Sequence, residues 1–186
     1  ITAPSSIAIQ GCDVNSITAS NARYPYSAIQ SANIKDSYIT TGYTASTADN
    51  IESITYIDVI SPDTTCPLNV IRTFTITNSC GITATAAQNI TVTQSDFGLP
   101  ANGASIVVCL ADAQVAPTPP TVNDACGNTL TPVLKTTPTD ITCEGDMVWV
   151  YTYTDCIGNS HDWSYTYTIN FETPVVPQNT GSTVEC

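Results

Sequence analysis

The sequence predicts an all-β chain built of tandem β-sandwich modules stapled by disulfides, and three observations predict it. Apolar and aromatic residues recur with period two in NVIRTFTITN (Asn69–Asn78), MVWVYTYTD (Met147–Asp155) and WSYTYTINF (Trp163–Phe171), the alternation of a half-buried strand. Turn signals such as SPDTTCP, APTPP, DACGN and DCIGN separate short strands at the rhythm of a small sandwich of two antiparallel sheets. Eight cysteines with no CxxC pair and one histidine, His161, point to disulfides made in an oxidising compartment rather than to zinc.

A hydrophobic content of 42% over 186 residues suffices to build a core. The net charge of -12 repels nucleic acid and anionic membrane surfaces, so a nucleic-acid reader is excluded. Thr, Ser and Asn carry most of the polar surface, which suits strands and turns. No apolar run is long enough to span a membrane, so membrane insertion is not expected. The chain reads as a secreted fragment of something longer.

Three stretches begin alike: APSSIAIQGC ending at Cys12, LPANGASIVVC ending at Cys109 and VPQNTGSTVEC ending at Cys186. A stronger match lays CPLNVIRTFTITN (Cys66–Asn78) over CEGDMVWVYTYTD (Cys143–Asp155) without a gap. The reading is a tandem array: a first module at 1–95, a linker at 96–103, a second module at 104–173, and at 174–186 a linker with the first strand of a third module. The match fixes an inward face, with Val70, Phe74 and Ile76 over Met147, Tyr151 and Tyr153. Thr73, Thr75, Thr77, Thr152 and Thr154 then point outward. Arg72, over Trp149, is a charge on the inward face and is expected near the sandwich edge.

Cys143 and Cys156 bracket one extended strand, so they lie roughly 30 Å or more apart and cannot bond to each other, since a disulfide needs Cα atoms within about 7 Å. With that strand as strand F of an immunoglobulin-like sandwich, strand A brings Cys109 to the end that holds Cys143, and strand B brings Cys126 beside Cys156. The expected bridges are Cys109–Cys143 and Cys126–Cys156, with Cys12–Cys66 repeating the first in the first module. Cys80 and Cys186 are left unpaired.

PPTVNDACGNTLTPV, TCEGDMVWVYTYTDCIGN and TCPLNVIRTFTITNSCGITATAAQNITV resemble the hyaline-repeat-like (HYR-like) modules strung in long arrays on secreted surface proteins of Bacteroidota, including gliding-motility adhesins of the SprB type. The resemblance covers both modules. It implies an immunoglobulin-like fold, export by the type IX secretion system, a place at the cell surface and a role in adhesion. Where that pattern often has a cysteine after Asp-Asn, the first module has Ile51, which leaves Cys80 without a partner.

No nucleophile, base and orienting group are set out as an enzyme needs, and His161 sits in a turn, GNSHDWS; no enzyme is expected. Asp124 and Asn128 flank Cys126, and Asp155, Asn159 and Asp162 flank or follow Cys156. A Cys126–Cys156 bridge would gather these oxygens into a candidate calcium site; ordinary Asx turns are the competing use. Trp149, Tyr151, Tyr153, Trp163, Tyr165 and Tyr167 are either core or a sugar-stacking platform, with alternation favouring core. Thr64, in DTT, resembles a Bacteroidota O-glycosylation site.

Taken together, these features predict a non-catalytic spacer of a large extracellular surface adhesin. Its partners would be neighbouring modules of the same chain, the type IX secretion and surface-anchoring machinery, and surface polysaccharide. The alternative is a ligand-binding module for carbohydrate or a partner protein. No cofactor other than calcium is expected.

Overall fold

The computed structural model describes residues 2–39, 50–139, 144–171, 175 and 181, without the side chains of residues 63–65. The chain is mostly β, in the all-β immunoglobulin-like class expected. It forms two compact units that are not contiguous in sequence. The first holds Ile1–Gly98 with Asn123–Leu130 and Thr154–Asn159; the second holds Leu99–Val122, Thr131–Tyr153 and Ser160–Cys186.

In the first unit the strands are β1 (Ile7–Gln10), β2 (Ile51–Thr65), β3 (Leu68–Asn78) and β4 (Thr83–Thr93). They form one sheet in the order β1-β4-β3-β2, with β1 parallel to β4 and the other pairs antiparallel. The alternation in β3 does what its pattern requires: Val70, Phe74 and Ile76 are buried, and Thr73, Thr75 and Thr77 are half-buried. Ile54, Tyr56, Ile90 and Val92 complete the buried face.

A second antiparallel sheet was expected over this face. Among the described residues, a 3₁₀ turn (Val14–Ser16), two short helices, α1 (Ala19–Ala22) and α2 (Lys35–Ile39), and coil lie there instead. Ile17, Ala22, Tyr24 and Tyr38 from these segments are buried with the sheet residues. The segment NARYPYSAIQSANI has no period-two pattern to make a strand, and its Pro25 has no N–H to give a ladder. It still covers the free edge of β2, where Asp58 N donates to Ser27 O, Ser31 N to Tyr56 O and Ile34 N to Ile54 O. A covered edge does not template pairing with other chains.

The second unit repeats the plan. β5 (Gly103–Val107), β8 (Val133–Thr136), β9 (Gly145–Thr154) and β10 (Ser160–Ile169) form a sheet ordered β5-β10-β9-β8, with β5 parallel to β10 and β8 antiparallel to β9. A single helical turn, α3 (Leu110–Ala113), follows β5. β6 (Val122–Asn123) and β7 (Thr129–Leu130) make a two-stranded ladder, and β7 belongs to the first unit. Met147, Trp149, Tyr151 and Tyr153 fill the inward face of β9.

Over that face runs the proline-rich strap APTPP. Prolines cannot donate to a sheet, so carbonyls of the strap and of the helical turn before it are met by side chains: Trp149 Nε1 donates to Ala113 O at the end of α3 at 3.0 Å, Tyr151 Oη to Pro117 O at 3.1 Å, and Tyr153 Oη to Pro120 O. Burial pushes the Tyr153 hydroxyl pKa up, and Tyr151 beside it adds to the shift. Gly103 is required for close approach. Paired with Tyr165 across β5 and β10, it would place any Cβ into that ring.

Arg72 corrects an expectation. It lies in the core, fully buried, and not at an edge. Its cross-strand neighbour in the β2–β3 ladder is Asp58, also buried. Nε and Nη2 of the guanidinium donate to the two carboxylate oxygens at 2.7 and 2.8 Å. The remaining donors reach Ala22 O at 3.2 Å and Pro25 O at 3.0 Å, and the group lies 4.6 Å from the centre of the Tyr56 ring. A charge is tolerated in such a place only when paired and hydrogen-bonded. Asp58 follows Ile54 and Tyr56 in the parity of the inward face, and that was the sequence signal that could have found the pair.

Candidate functional site

Three turns share one geometry. In Asp124–Asn128 and Asp155–Asn159 the aspartate Oδ1 accepts from the backbone N–H two and four residues on, and Oδ2 accepts from the asparagine Nδ2 of the fifth residue. In Asn78–Ile82 the Asn78 Oδ1 accepts from Cys80 N and Ile82 N at 3.0 and 2.9 Å. The fourth residue of each is glycine with φ of 78°, 85° or 95°, the left-handed conformation that costs other residues a steric penalty. The first residue's side chain and this glycine together make an Asx turn, and each turn carries a cysteine.

The first compact unit gathers two of these turns against its own cysteines. Cys12 bonds to Cys126 with Cα atoms 5.4 Å apart, and Cys66 bonds to Cys156 at 5.8 Å. Both separations suit a disulfide. A small cleft of about 70 Å³, lined by Gly11, Cys12, Cys66, Pro67, Cys126 and Cys156, lies among them, and Gln94 Nε2 donates to Cys156 Sγ at 3.3 Å.

This overturns the expected pairing. Cys12–Cys66 and Cys126–Cys156 do not form, because both turn cysteines of the second repeat bond to cysteines of the first. Cys109 is an exposed free thiol; Cys143 and Cys186 lie outside the described residues, and the expected Cys109–Cys143 bridge lies outside them too. Cys80 is free and exposed. The expectation assumed that each repeat closes its bridges on itself, and local strand topology carries no information about bonds to a neighbouring repeat.

The calcium set is not brought together as expected. The carboxylates of Asp124 and Asp155 each accept three hydrogen bonds inside their own turns, with Asn128 and Asn159 as donors. Asp162 instead pairs with Lys135 and accepts from Thr152 Oγ1 at 2.6 Å. Among the described residues no group of three or more His, Cys, Asp or Glu side chains could hold a metal ion. The Asn128 side-chain hydrogen bond holds the Asp124 carboxyl below its ordinary pKa of 3.8. Lys135, then Thr152, does the same for Asp162.

Trp149, Tyr151, Tyr153 and Trp163 are buried, while Tyr165 and Tyr167 are half-buried. The rings of the last two are 4.9 Å apart, and Trp163 Nε1 donates to Ala101 O at 3.0 Å. These aromatics mainly fill the core. His161 is half-buried at the start of β10. The side chain of Thr64 lies outside what the structure describes.

Residues 97–169 match the family model for the HYR-like domain with 4 cysteines, so this part of the chain is similar to an HYR-like module. Modules of this class are immunoglobulin-like, non-catalytic and extracellular. No curated protein matches the chain.

Proposed function

We propose that the chain is a non-catalytic run of repeats in a large cell-surface adhesin, a spacer that carries load between the cell and a distal binding tip. One observation carries the reading: the two bridges interleave, joining Cys12 to Cys126 and Cys66 to Cys156. Successive repeats are thereby tied covalently twice, in addition to the backbone between them. A ligand-binding role would ask for exposed aromatics, and most of the aromatic run is buried.

In this reading a Bacteroidota cell exports the protein through the type IX secretion system and anchors it for gliding motility. Its partners are the neighbouring repeats, the secretion and anchoring machinery, and surface polysaccharide met by the tip. The acidic, threonine-rich surface favours this use because like charge opposes self-association.

Under tension from its two ends, the chain transmits force from Cys12 to Cys126 through sulfur. The backbone between them, a sequence separation of 114, stays outside the loaded path. At roughly 3.3–3.6 Å per extended residue, the bridge withholds on the order of 400 Å of length. Single-molecule pulling tests this: the oxidised chain should extend less than the reduced chain by about that amount. Equal extension in the two states would overturn the load-bearing reading.

A further inference from the structure

The free thiols Cys80 and Cys109 occupy positions whose counterparts are bonded. Cys109 lies two residues past β5, as Cys12 lies two past β1, and both strands run parallel to the last strand of their sheets. A single helical turn follows each cysteine. Cys80 is the third residue of an Asx turn, as Cys126 is, and its turn joins β3 to β4 as the Cys156 turn joins β9 to β10. Both observed bridges run the same way: a strand-side cysteine of one repeat, Cys12 or Cys66, bonds to a turn cysteine of the next.

We propose that this rule propagates along the array. Cys109 is the attachment point for a further repeat that follows in the same chain, and Cys80 offers its turn to a strand-side cysteine of a preceding one. The partner of Cys109 is defined by its chemistry: a five-residue turn with aspartate first, cysteine third, a left-handed glycine fourth and asparagine fifth. The stretch VPQNTGSTVEC repeats the opening LPANGASIVVC and marks where that repeat begins. Forming the bond oxidises two thiols. Their two protons and two electrons pass by thiol–disulfide exchange to a disulfide oxidant, which leaves as two thiols.

The inference rests on the tandem-repeat reading above, and one experiment separates the two. The chain is extended after Cys186 by a copy of its own residues 110–173, which completes a third repeat in register. It is folded with reduced and oxidised glutathione, its free thiols are blocked with N-ethylmaleimide, and its peptides are mapped without reduction. Cys109 should be joined to the added copy of Cys126, and Cys80 should be blocked. Replacing the aspartate in the added copy of Asp124 by alanine should return Cys109 to the blocked pool.

If Cys109 is blocked in the extended chain while Cys12–Cys126 is intact, the inference fails and the spacer reading stands. If Cys12–Cys126 is itself missing, the bridged-array reading fails first. The unextended chain gives an independent check, since Cys109 should react with N-ethylmaleimide in the native state. A Cys109–Cys143 peptide there would overturn the inference whether or not the added repeat folds.

Discussion

Arg72 and Trp149 hold the same place in the repeat, the fifth residue of β3 and of β9, and both donate to a carbonyl of the segment that covers their sheet. Arg72 reaches Ala22 O and Pro25 O, and Trp149 reaches Ala113 O. The indole does this as a neutral group whose ring also fills space. The guanidinium does it as a buried charge, which requires Asp58 across the ladder at 2.7 Å. What the repeat keeps at this position is a long side chain with an N–H at its tip, and the residue type is free to change provided its charge is met.

The comparison predicts unequal penalties. Asp58→Ala leaves the Arg72 guanidinium buried and unpaired, a change that typically costs about 3–5 kcal/mol. Both tryptophans, Trp149 and Trp163, lie in the second unit. The loss in the first unit should therefore be read from hydrogen exchange of the β3 amides, with tryptophan fluorescence of the second unit as an internal control. The double variant Asp58→Leu/Arg72→Met removes both charges and should recover much of that loss. If the double variant is as unstable as Asp58→Ala, the carbonyl contacts at Ala22 and Pro25 matter more than the ion pair.

Trp149→Phe is the matching change in the second unit. It removes the bond to Ala113 O and part of the buried ring but strands no charge, so about 1–3 kcal/mol is expected, by a lost hydrogen bond and a small cavity. Urea unfolding followed by the fluorescence of Trp163 measures it. A penalty as large as that of Asp58→Ala would mean that the strap depends on this one anchor and not on the three aromatic donors together.

The same contrast shows what was legible in the sequence. Period-two patterning placed β3 and β9 and their buried faces, because alternation needs only local information. The gapless match of Cys66–Asn78 with Cys143–Asp155 anticipated the shared buried face, Val70, Phe74 and Ile76 over Met147, Tyr151 and Tyr153. Arg72 was misplaced because a lone charge in an apolar pattern looks like an edge, and its partner Asp58 is fourteen residues away on another strand. The covering layer was missed for a related reason. A strap held by side-chain donors to proline carbonyls leaves no periodic mark. The bridges were beyond reach for a third reason: Asp124 and Asp155 were visible as turn residues, but which cysteine a turn would face depends on contacts more than eighty residues distant.

The Asx turns allow a finer comparison, since Asp124 and Asn78 begin turns of the same shape with different charge. Asp124→Ala removes the acceptor of three hydrogen bonds and should cost about 1–2 kcal/mol. It should also lower the yield of the Cys12–Cys126 bridge on refolding, read by peptide mapping. A full yield from this variant would show that the bridge forms without a preformed turn.

Acid should separate the two turns with the smallest effect of all. The Asp124 carboxyl is held below its ordinary value of 3.8, first by the Asn128 side chain and then by the backbone N–H groups of Asn128 and Cys126. A carboxyl depressed by folding lends stability that is fully present above the unfolded value and is lost as pH falls through the folded one. The turn at Asp124 should therefore hold at pH 5 and loosen only below 3.8, while the turn at Asn78, whose amide does not titrate, should be indifferent. In an NMR titration the Cys126 and Asn128 amide signals should shift together with a midpoint below 3.8, while those of Cys80 and Ile82 stay in place. A midpoint at or above 3.8 would mean that the turn does not prefer the carboxylate, and joint movement of all four signals would point to acid loosening of the whole unit.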